Sequence, residues 1–317
     1  MRIALDVMGG DYAPRELVAG ALLWSQNSDV ELFLVGQEER IAAELKNQSY
    51  DPAKLSIINA TQVMEMDEPV TALRKKQDSS IVVATKLVKA GKADAVVSCG
   101  STAAQMAAAT LILGRLESIE RPPIVTMIPG ISGKASLLLD VGANVDCKPQ
   151  QLLQFALLGR VYASIANGLD NPRVALLNNG EEAGKGNNLT VAAHQLLEQS
   201  NLNFTGNIEG RDIFSGKADV VVCDGFVGNM LLKSMEGMAM FIGRACQEEF
   251  GKLPAVFQYF DYSRVGGAPL LGVNGVSIVC HGSSKREAFC NGIKIAEQCV
   301  DRQMVPNQIL ALGAGEE

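Results

Sequence analysis

Short, unbroken apolar runs recur along the chain, and most stop at a loop of glycine with Asp, Asn, Ser or Thr before helical periodicity begins. Ile3-Ala4-Leu5 leads through Asp6-Val7-Met8-Gly9-Gly10-Asp11 into a helix over 14–24, with Pro14 in the first turn, where its missing N–H costs nothing. Residues 31–35 predict a strand closed by Gly36, 38–46 a helix and 55–58 a further strand. The run 93–98 turns through Cys99-Gly100-Ser101-Thr102 into an Ala- and Met-rich helix over 103–113. Strands follow at 124–128 and at 137–141, the second broken by Asp140, then Gly142-Ala143-Asn144-Val145-Asp146-Cys147 and a helix over 149–166. Three more apolar runs, 174–177, 218–223 and 276–279, end in glycine loops; a helix bearing Val191, Leu196 and Leu197 follows the first, and one over 285–299 the last. Continuous apolar strands are buried on both faces, and strands alternating with helices build a parallel sheet with right-handed crossovers. The pattern predicts one α/β domain over 1–317, three layers α/β/α around a mainly parallel, Rossmann-like sheet. Its strand-to-helix loops should line one edge, where ligands bind.

Residues 238–271 depart from this plan. Phe241, Ile242, Phe250, Leu253, Val256, Phe257, Tyr259 and Phe260 recur at helical spacing with no strand among them. The expectation is a protruding helical pair that covers its apolar face on its own core, on a second subunit or at a membrane surface.

The composition, 47 % hydrophobic and 20 % charged, is that of a folded globular chain long enough for a full core. A net charge of −7 argues against nucleic acid as a partner, since phosphate-backbone binding needs an excess of clustered Lys and Arg. Local basic clusters such as Arg74-Lys75-Lys76 stay available to an acidic partner or stand as a solvated face. The seven cysteines are odd in number and never in C-x-x-C spacing, which fits free thiols in a reducing compartment better than a disulfide or zinc framework. No metal or cofactor is expected. Arg2 to Leu5 is too short for a signal-peptide core, and no apolar run reaches membrane-spanning length. The chain is therefore expected to be cytoplasmic, attached at most to a membrane surface.

The densest candidate chemistry lies between the run 174–177 and the helix after it, where Asn178-Asn179-Gly180-Glu181-Glu182-Ala183-Gly184-Lys185-Gly186-Asn187 intervenes. A helix that starts after such a turn points free amides and a positive dipole end at the loop, which favours an anion, and Lys185 adds a full charge. It is not a P-loop: Gly180 and Gly184 enclose three residues instead of four, and Gly186, not Ser or Thr, follows the lysine. The dinucleotide fingerprint fails as well, because Leu189 stands where a third glycine is needed. A plain surface turn is the bland alternative.

Several segments, taken in order, resemble the motifs of the PlsX phosphate acyltransferases. They are Asp6-Val7-Met8-Gly9-Gly10-Asp11, Leu139-Asp140-Val141-Gly142-Ala143-Asn144, the loop 178–186, Gly206-Asn207-Ile208-Glu209-Gly210, Asp224-Gly225-Phe226-Val227-Gly228-Asn229 and His281-Gly282-Ser283-Ser284. The resemblance covers almost the whole chain. It implies transfer of a fatty acyl group from acyl carrier protein to inorganic phosphate, giving an acyl phosphate for phospholipid synthesis. It also implies a homodimer and peripheral membrane attachment. Where the family pattern has Ala-Gly-Asn-Thr-Gly, this chain has Cys99-Gly100-Ser101-Thr102-Ala103-Ala104.

Such a transfer needs a cradle for a dianion and a polarised carbonyl but no strong base, since a thiol leaves readily. Two histidines in the whole chain fit that demand and weaken a Ser-His-Asp reading. Lys185 with the amides of Gly184, Gly186 and Asn187 is the expected phosphate cradle, with Ser101 and Thr102 as further phosphate-binding candidates. His281 and Ser283 are expected to hydrogen-bond the carbonyl oxygen. Asp6, Asp11, Asp140, Asn144, Asp224 and Asn229 are expected behind them, capping helices or orienting other groups. Cys99, ahead of a helix, offers a covalent alternative as acyl acceptor, and a buried structural thiol is its competitor. The rivals from other classes are an NAD-dependent dehydrogenase and a non-enzymatic lipid-binding scaffold.

Overall fold

The computed structural model describes residues 1–131, 133–254 and 266–313. The chain forms two compact units, one running from Met1 to Leu116 and resuming up to Val305, the other starting at Glu117 and taking in the C-terminal stretch from Pro306. Each has its own sheet. Both sheets are mostly parallel, as the alternating pattern predicts, but the strands expected in one sheet are shared between two. An apolar run reports burial on both faces; it does not report which strand lies beside it.

In the first unit, β1 (Arg2–Asp6), β2 (Glu31–Gly36), β3 (Leu55–Asn59) and β4 (Ala95–Ser98) join β10 (Ala268–Pro269) and β11 (Val276–Val279) from the returning chain. The order is β10-β11-β4-β1-β2-β3, parallel throughout except for the short β10. The register pairs Asp6 with Ser98 and Ser98 with Val279, so the loops after β1, β4 and β11 leave from one level of one edge. Helices α1 (Arg15–Ser25), α2 (Glu38–Leu45), α3 (Ser80–Lys89), α4 (Thr102–Ala108) and the late helix α8 (Arg286–Asp301) belong to this unit. The sequence pattern does not predict α3: Ile81-Val82-Val83 is a β-branched run that disfavours helix, and it is held there by burial of Ile81, Val82 and Ala84 in a core with Val35, Leu73, Val96 and Ala104. A Cβ on Gly20 of α1 would lie 2.7 Å from the Arg286 carbonyl, so a glycine is what allows α1 and α8 to approach. Arg286 and Glu16 pin the same contact at 2.9 and 3.1 Å.

The second unit orders β5 (Val125–Ile128), β6 (Ser136–Leu139), β7 (Val174–Asn178), β8 (Phe204–Glu209) and β9 (Val220–Val222) as β5-β6-β9-β7-β8, with only β5 antiparallel. Its helices include α5 (Pro149–Asn167), α6 (Asn188–Glu198) and α7 (Gly225–Phe250). Leu152, Phe155, Ala156 and Tyr162 bury one face of α5, which ends at left-handed Gly168. A further helix, α9 (Met304–Gly313), closes the described chain.

Two local expectations are corrected. Residues 225–229, read as a loop, form the first turn of α7, because Asp224 caps it by accepting the Val227 N–H at 2.8 Å. The stretch 238–271 is not free of strand, since Ala268 and Pro269 pair with β11. Its first part continues α7 to Phe250, while Val256, Phe257, Tyr259 and Phe260 lie outside the described residues. Among the described residues, no helix is long and apolar enough to cross a membrane.

Candidate active site

The candidate residues fall into two groups of strand-end loops, one in each unit. In the second unit, β7 ends at Asn178, whose side chain organises the loop that follows: its Nδ2 donates to the Lys185 carbonyl at 2.9 Å, and its Oδ1 accepts the Asn179 amide at 2.9 Å. The Lys185 amide donates to the Glu182 carbonyl at 3.0 Å. Gly186 takes φ +101°, and a Cβ there would collide with Thr190 Oγ1 and Asn178 Oδ1, so the turn requires glycine. Asn187 caps α6 by accepting the Thr190 N–H at 3.0 Å, so its side chain is committed to the helix. By helix geometry the amides of Asn188 and Leu189 have no intrahelical partner. The Lys185 stem lies over Gly180, and among the described residues no carboxylate pairs with its ammonium. Residues 181–188 are exposed. This loop can present a cation and helix-end amides to an anion.

Beside it in the sheet, the loops after β6 and β9 interlock around Asp140. That buried carboxylate accepts four hydrogen bonds: the Ile124 and Ala143 amides at 3.1 Å, and the Asn144 amide and side chain at 2.7 and 2.9 Å. Burial pushes it up to about 6 despite those bonds, leaving it ionised at neutral pH. The Gly225 amide donates to the Asn144 carbonyl at 2.7 Å, and a Cβ on Gly228 would collide with the Asp140 carbonyl. Asn229 lies against Gly142. The structure thus brings Asp140, Asn144, Asp224 and Asn229 together, with Asp140 serving the backbone of its own loop and of the segment before β5.

In the first unit three loops meet backbone to backbone. A Cβ on Gly9 would fall 2.8 Å from Gly100, and one on Gly10 2.9 Å from the Cys99 carbonyl and 3.0 Å from that of Gly282. The Asp11 amide donates to the Gly282 carbonyl at 2.9 Å. Asp6 anchors the group: Ser98 Oγ donates to it at 2.7 Å and the Met8 amide at 3.2 Å. Its burial raises the carboxyl above the ordinary range, opposed by hydrogen bonds from Ser80, Ser98 and two loop amides. His281 Nδ1 lies 2.7 Å from Ser283 Oγ and accepts the Ser283 amide at 3.2 Å, so the neutral ring carries its hydrogen on Nε2. His281 is exposed and Ser283 half-buried. Ser101 caps α4, accepting the Ala104 amide at 3.5 Å, and Thr102 is exposed as the first residue of that helix.

Cys99 is wholly buried beside Cys280, and desolvation holds its thiol well above the ordinary value. A protonated, buried thiol is a poor nucleophile, so the structure supports the structural role over the covalent one. Sequence reasoning misses Ser98, Asn178, His194 and Asn207, which hold the loops from behind. Of these, Asn178 in the loop 178–186 and Asn207 within Gly206 to Gly210 belong to segments that stand out in the sequence.

Glycine loops at parallel strand ends, three of them meeting in the first unit and one in the second carrying Lys185 ahead of a helix, place the candidate chemistry of this α/β protein at its strand ends. Residues 1–307 match the family model described as fatty acid synthesis protein. A phosphate acyltransferase of Syntrophomonas wolfei is 62 % identical over 315 residues, covering 98 % of each chain. The phosphate acyltransferase of Desulforamulus reducens is 49 % identical over 320 residues, covering 96 % of each. Among solved structures, a phosphotransacetylase from Streptococcus pyogenes has the same fold, with a TM-score of 0.66 at 19 % identity over 95 % of this chain and 94 % of that one. The family model and the two curated relatives make the protein an acyltransferase. The chain belongs to the fatty acid synthesis protein family, the PlsX phosphate acyltransferases.

Proposed function

We propose that the protein transfers a fatty acyl group from acyl carrier protein to inorganic phosphate, giving an acyl phosphate for phospholipid synthesis. The observation that carries this reading is the nearly full-length 62 % identity to a protein named phosphate acyltransferase. A phosphate oxygen attacks the thioester carbonyl carbon; the new C–O bond forms as the C–S bond breaks, and the carrier thiolate leaves and takes a proton from water. Lys185 with the loop amides at Gly184, Gly186 and Asn187 is assigned to the phosphate, and Ser101 and Thr102 are further candidates for it. His281 through Nε2–H, with Ser283, is assigned to the carbonyl oxygen. The test is phosphate-dependent loss of acyl carrier thioester with purified protein, the product trapped as a hydroxamate. A thermal shift with NAD and none with phosphate would instead favour the dehydrogenase reading.

Docking of an acidic carrier on an acidic chain needs local basic patches. Lys76 is paired with Glu68 at 2.6 Å, while Lys86 and Lys89 donate to Gln77 and to the Leu113 carbonyl. Arg74, Lys75 and Lys92 are the exposed members left to meet a partner. Reversing all three to glutamate is expected to raise the apparent KM for the carrier by about tenfold at low salt, an effect that shrinks above about 0.15 M salt. An unchanged KM would remove these patches from docking.

The homodimer and the membrane contact are read onto α7 and the segment after it. Of the helix's 26 residues only Gly225, Gly228 and Gly243 are buried, and Met230, Met238 and Phe241, 55 %, 59 % and 70 % exposed, share one face by helical spacing. A face this apolar needs a cover, and a second subunit at its base with lipid at its tip supplies one. Changing Leu253, Val256 and Phe257 to serine is expected to release the protein from anionic liposomes while leaving the dimer and its soluble activity intact. Monomers that still float with liposomes would reverse the assignment.

A further inference from the structure

The segment Gly206-Asn207-Ile208-Glu209-Gly210 has no part in the chemistry above, yet its asparagine reaches the lysine loop from behind. Along β7 and β8 the register runs from Val174 opposite Phe204 to Leu176 opposite Asn207, so β8 carries an extra residue there, and Gly206 takes φ +91°. A bulge with a left-handed glycine re-aims the side chains after it. Here the alternation breaks so that Asn207 and Ile208 are both buried. Asn207 Nδ2 donates to the Glu182 carbonyl at 2.8 Å, the same oxygen that takes the Lys185 amide at 3.0 Å. Its Oδ1 lies 3.0 Å from Nδ1 of His194. Since the amide nitrogen faces a carbonyl, the oxygen faces the ring, and His194 must hold its hydrogen on Nδ1. The imidazole is buried on α6 with its edge against Phe204, ring centroids 5.1 Å apart. A second tie runs outside: Lys217 bridges Glu181 in the loop and Asp212 after β8, each at 2.9 Å.

We propose that Asn207, oriented by His194, is a positioning residue for phosphate capture: it fixes the Glu182 carbonyl, which closes the 182–185 turn and sets where Lys185 leaves the backbone. The inference rests on the reading of this loop as the phosphate cradle. Were Asn207 only filling space between α6 and β8, its donor would be spent within the sheet or on the helix; it is spent on the loop.

Asn207→Asp keeps the shape and removes the N–H donor. The expected result is a KM for phosphate raised about tenfold with the KM for the acyl donor little changed, because one uniform-binding contact is misplaced. His194→Phe keeps an aromatic ring against Phe204 and removes the hydrogen that orients the amide, and it should shift the phosphate KM in the same direction. It serves as the test if the aspartate variant does not fold. Lys185→Ala measured alongside separates the two readings. If Lys185→Ala weakens phosphate use and the folded Asn207 and His194 variants keep the wild-type phosphate KM, the positioning role is overturned. If Lys185→Ala also leaves phosphate use intact, the cradle reading falls and this inference falls with it.

Discussion

Lys185→Ala is expected to lower kcat/KM for phosphate by about a hundredfold, close to 2.7 kcal/mol of transition-state stabilisation. Asn178, Gly180 and the Glu182 carbonyl fix the backbone and stem of Lys185, while no carboxylate among the described residues pairs with its ammonium. A cation left without a partner on a loop ordered by its neighbours is positioned for a ligand of opposite charge. The loop is exposed and Lys185 contributes nothing to the core, so the melting temperature should stay within a degree or two of wild type. Turnover near normal would take Lys185 out of the site.

Asp140→Ala should act on stability instead. It leaves four donors, the amides of Ile124, Ala143 and Asn144 and the Asn144 side chain, without their acceptor in a buried place. With roughly 1–3 kcal/mol for each orphaned buried group, less what relaxation recovers, a loss of about 4 kcal/mol and a fall in Tm of about 10 °C are expected. The pH dependence adds a signature. Because burial raises this carboxyl from 3.8 to about 6, the folded chain holds its proton more tightly than the unfolded one. Its contribution to stability is complete below about pH 4 and is lost as pH rises through 6, about 3 kcal/mol in all. The gap between wild type and Asp140→Ala in urea unfolding should therefore be wider at pH 4.5 than at pH 7.5. An equal gap at both would show that the four hydrogen bonds offset burial, and a wider gap at pH 7.5 that they outweigh it.

Most strands, and their parallel arrangement, are legible in the sequence because Ile3 to Leu5, 95–98, 174–177 and 276–279 are too uniformly apolar for anything but a strand covered on both faces. The division into two sheets is not legible, since pairing is decided between residues far apart, as with Ser98 and Val279. β8 escaped because its bulge at Gly206 interrupts the alternation that marks a strand. The glycine loops stand out in the sequence, for their composition is unusual. The residues that brace them do not: Ser98 reads as an ordinary strand position, Asn207 as one polar residue of a glycine segment, and His194 as one polar residue on a helix. Only register and a bulge turn them toward the loops.

The return of β11 to the first unit bears on how the protein is made. β4 finds its outer neighbour only when residues 276–279 emerge from the ribosome, after the strands of the second unit between Val125 and Val222 have been synthesised. Until then β4 is an open edge of unpaired amides and carbonyls, the kind of edge on which nascent chains associate wrongly. The second sheet, drawn from one continuous stretch, can close first. The contacts of Gly10 and Asp11 with Gly282 thus form only once this late segment arrives, so the loops after β1 and β4 are completed by residues made after the second sheet.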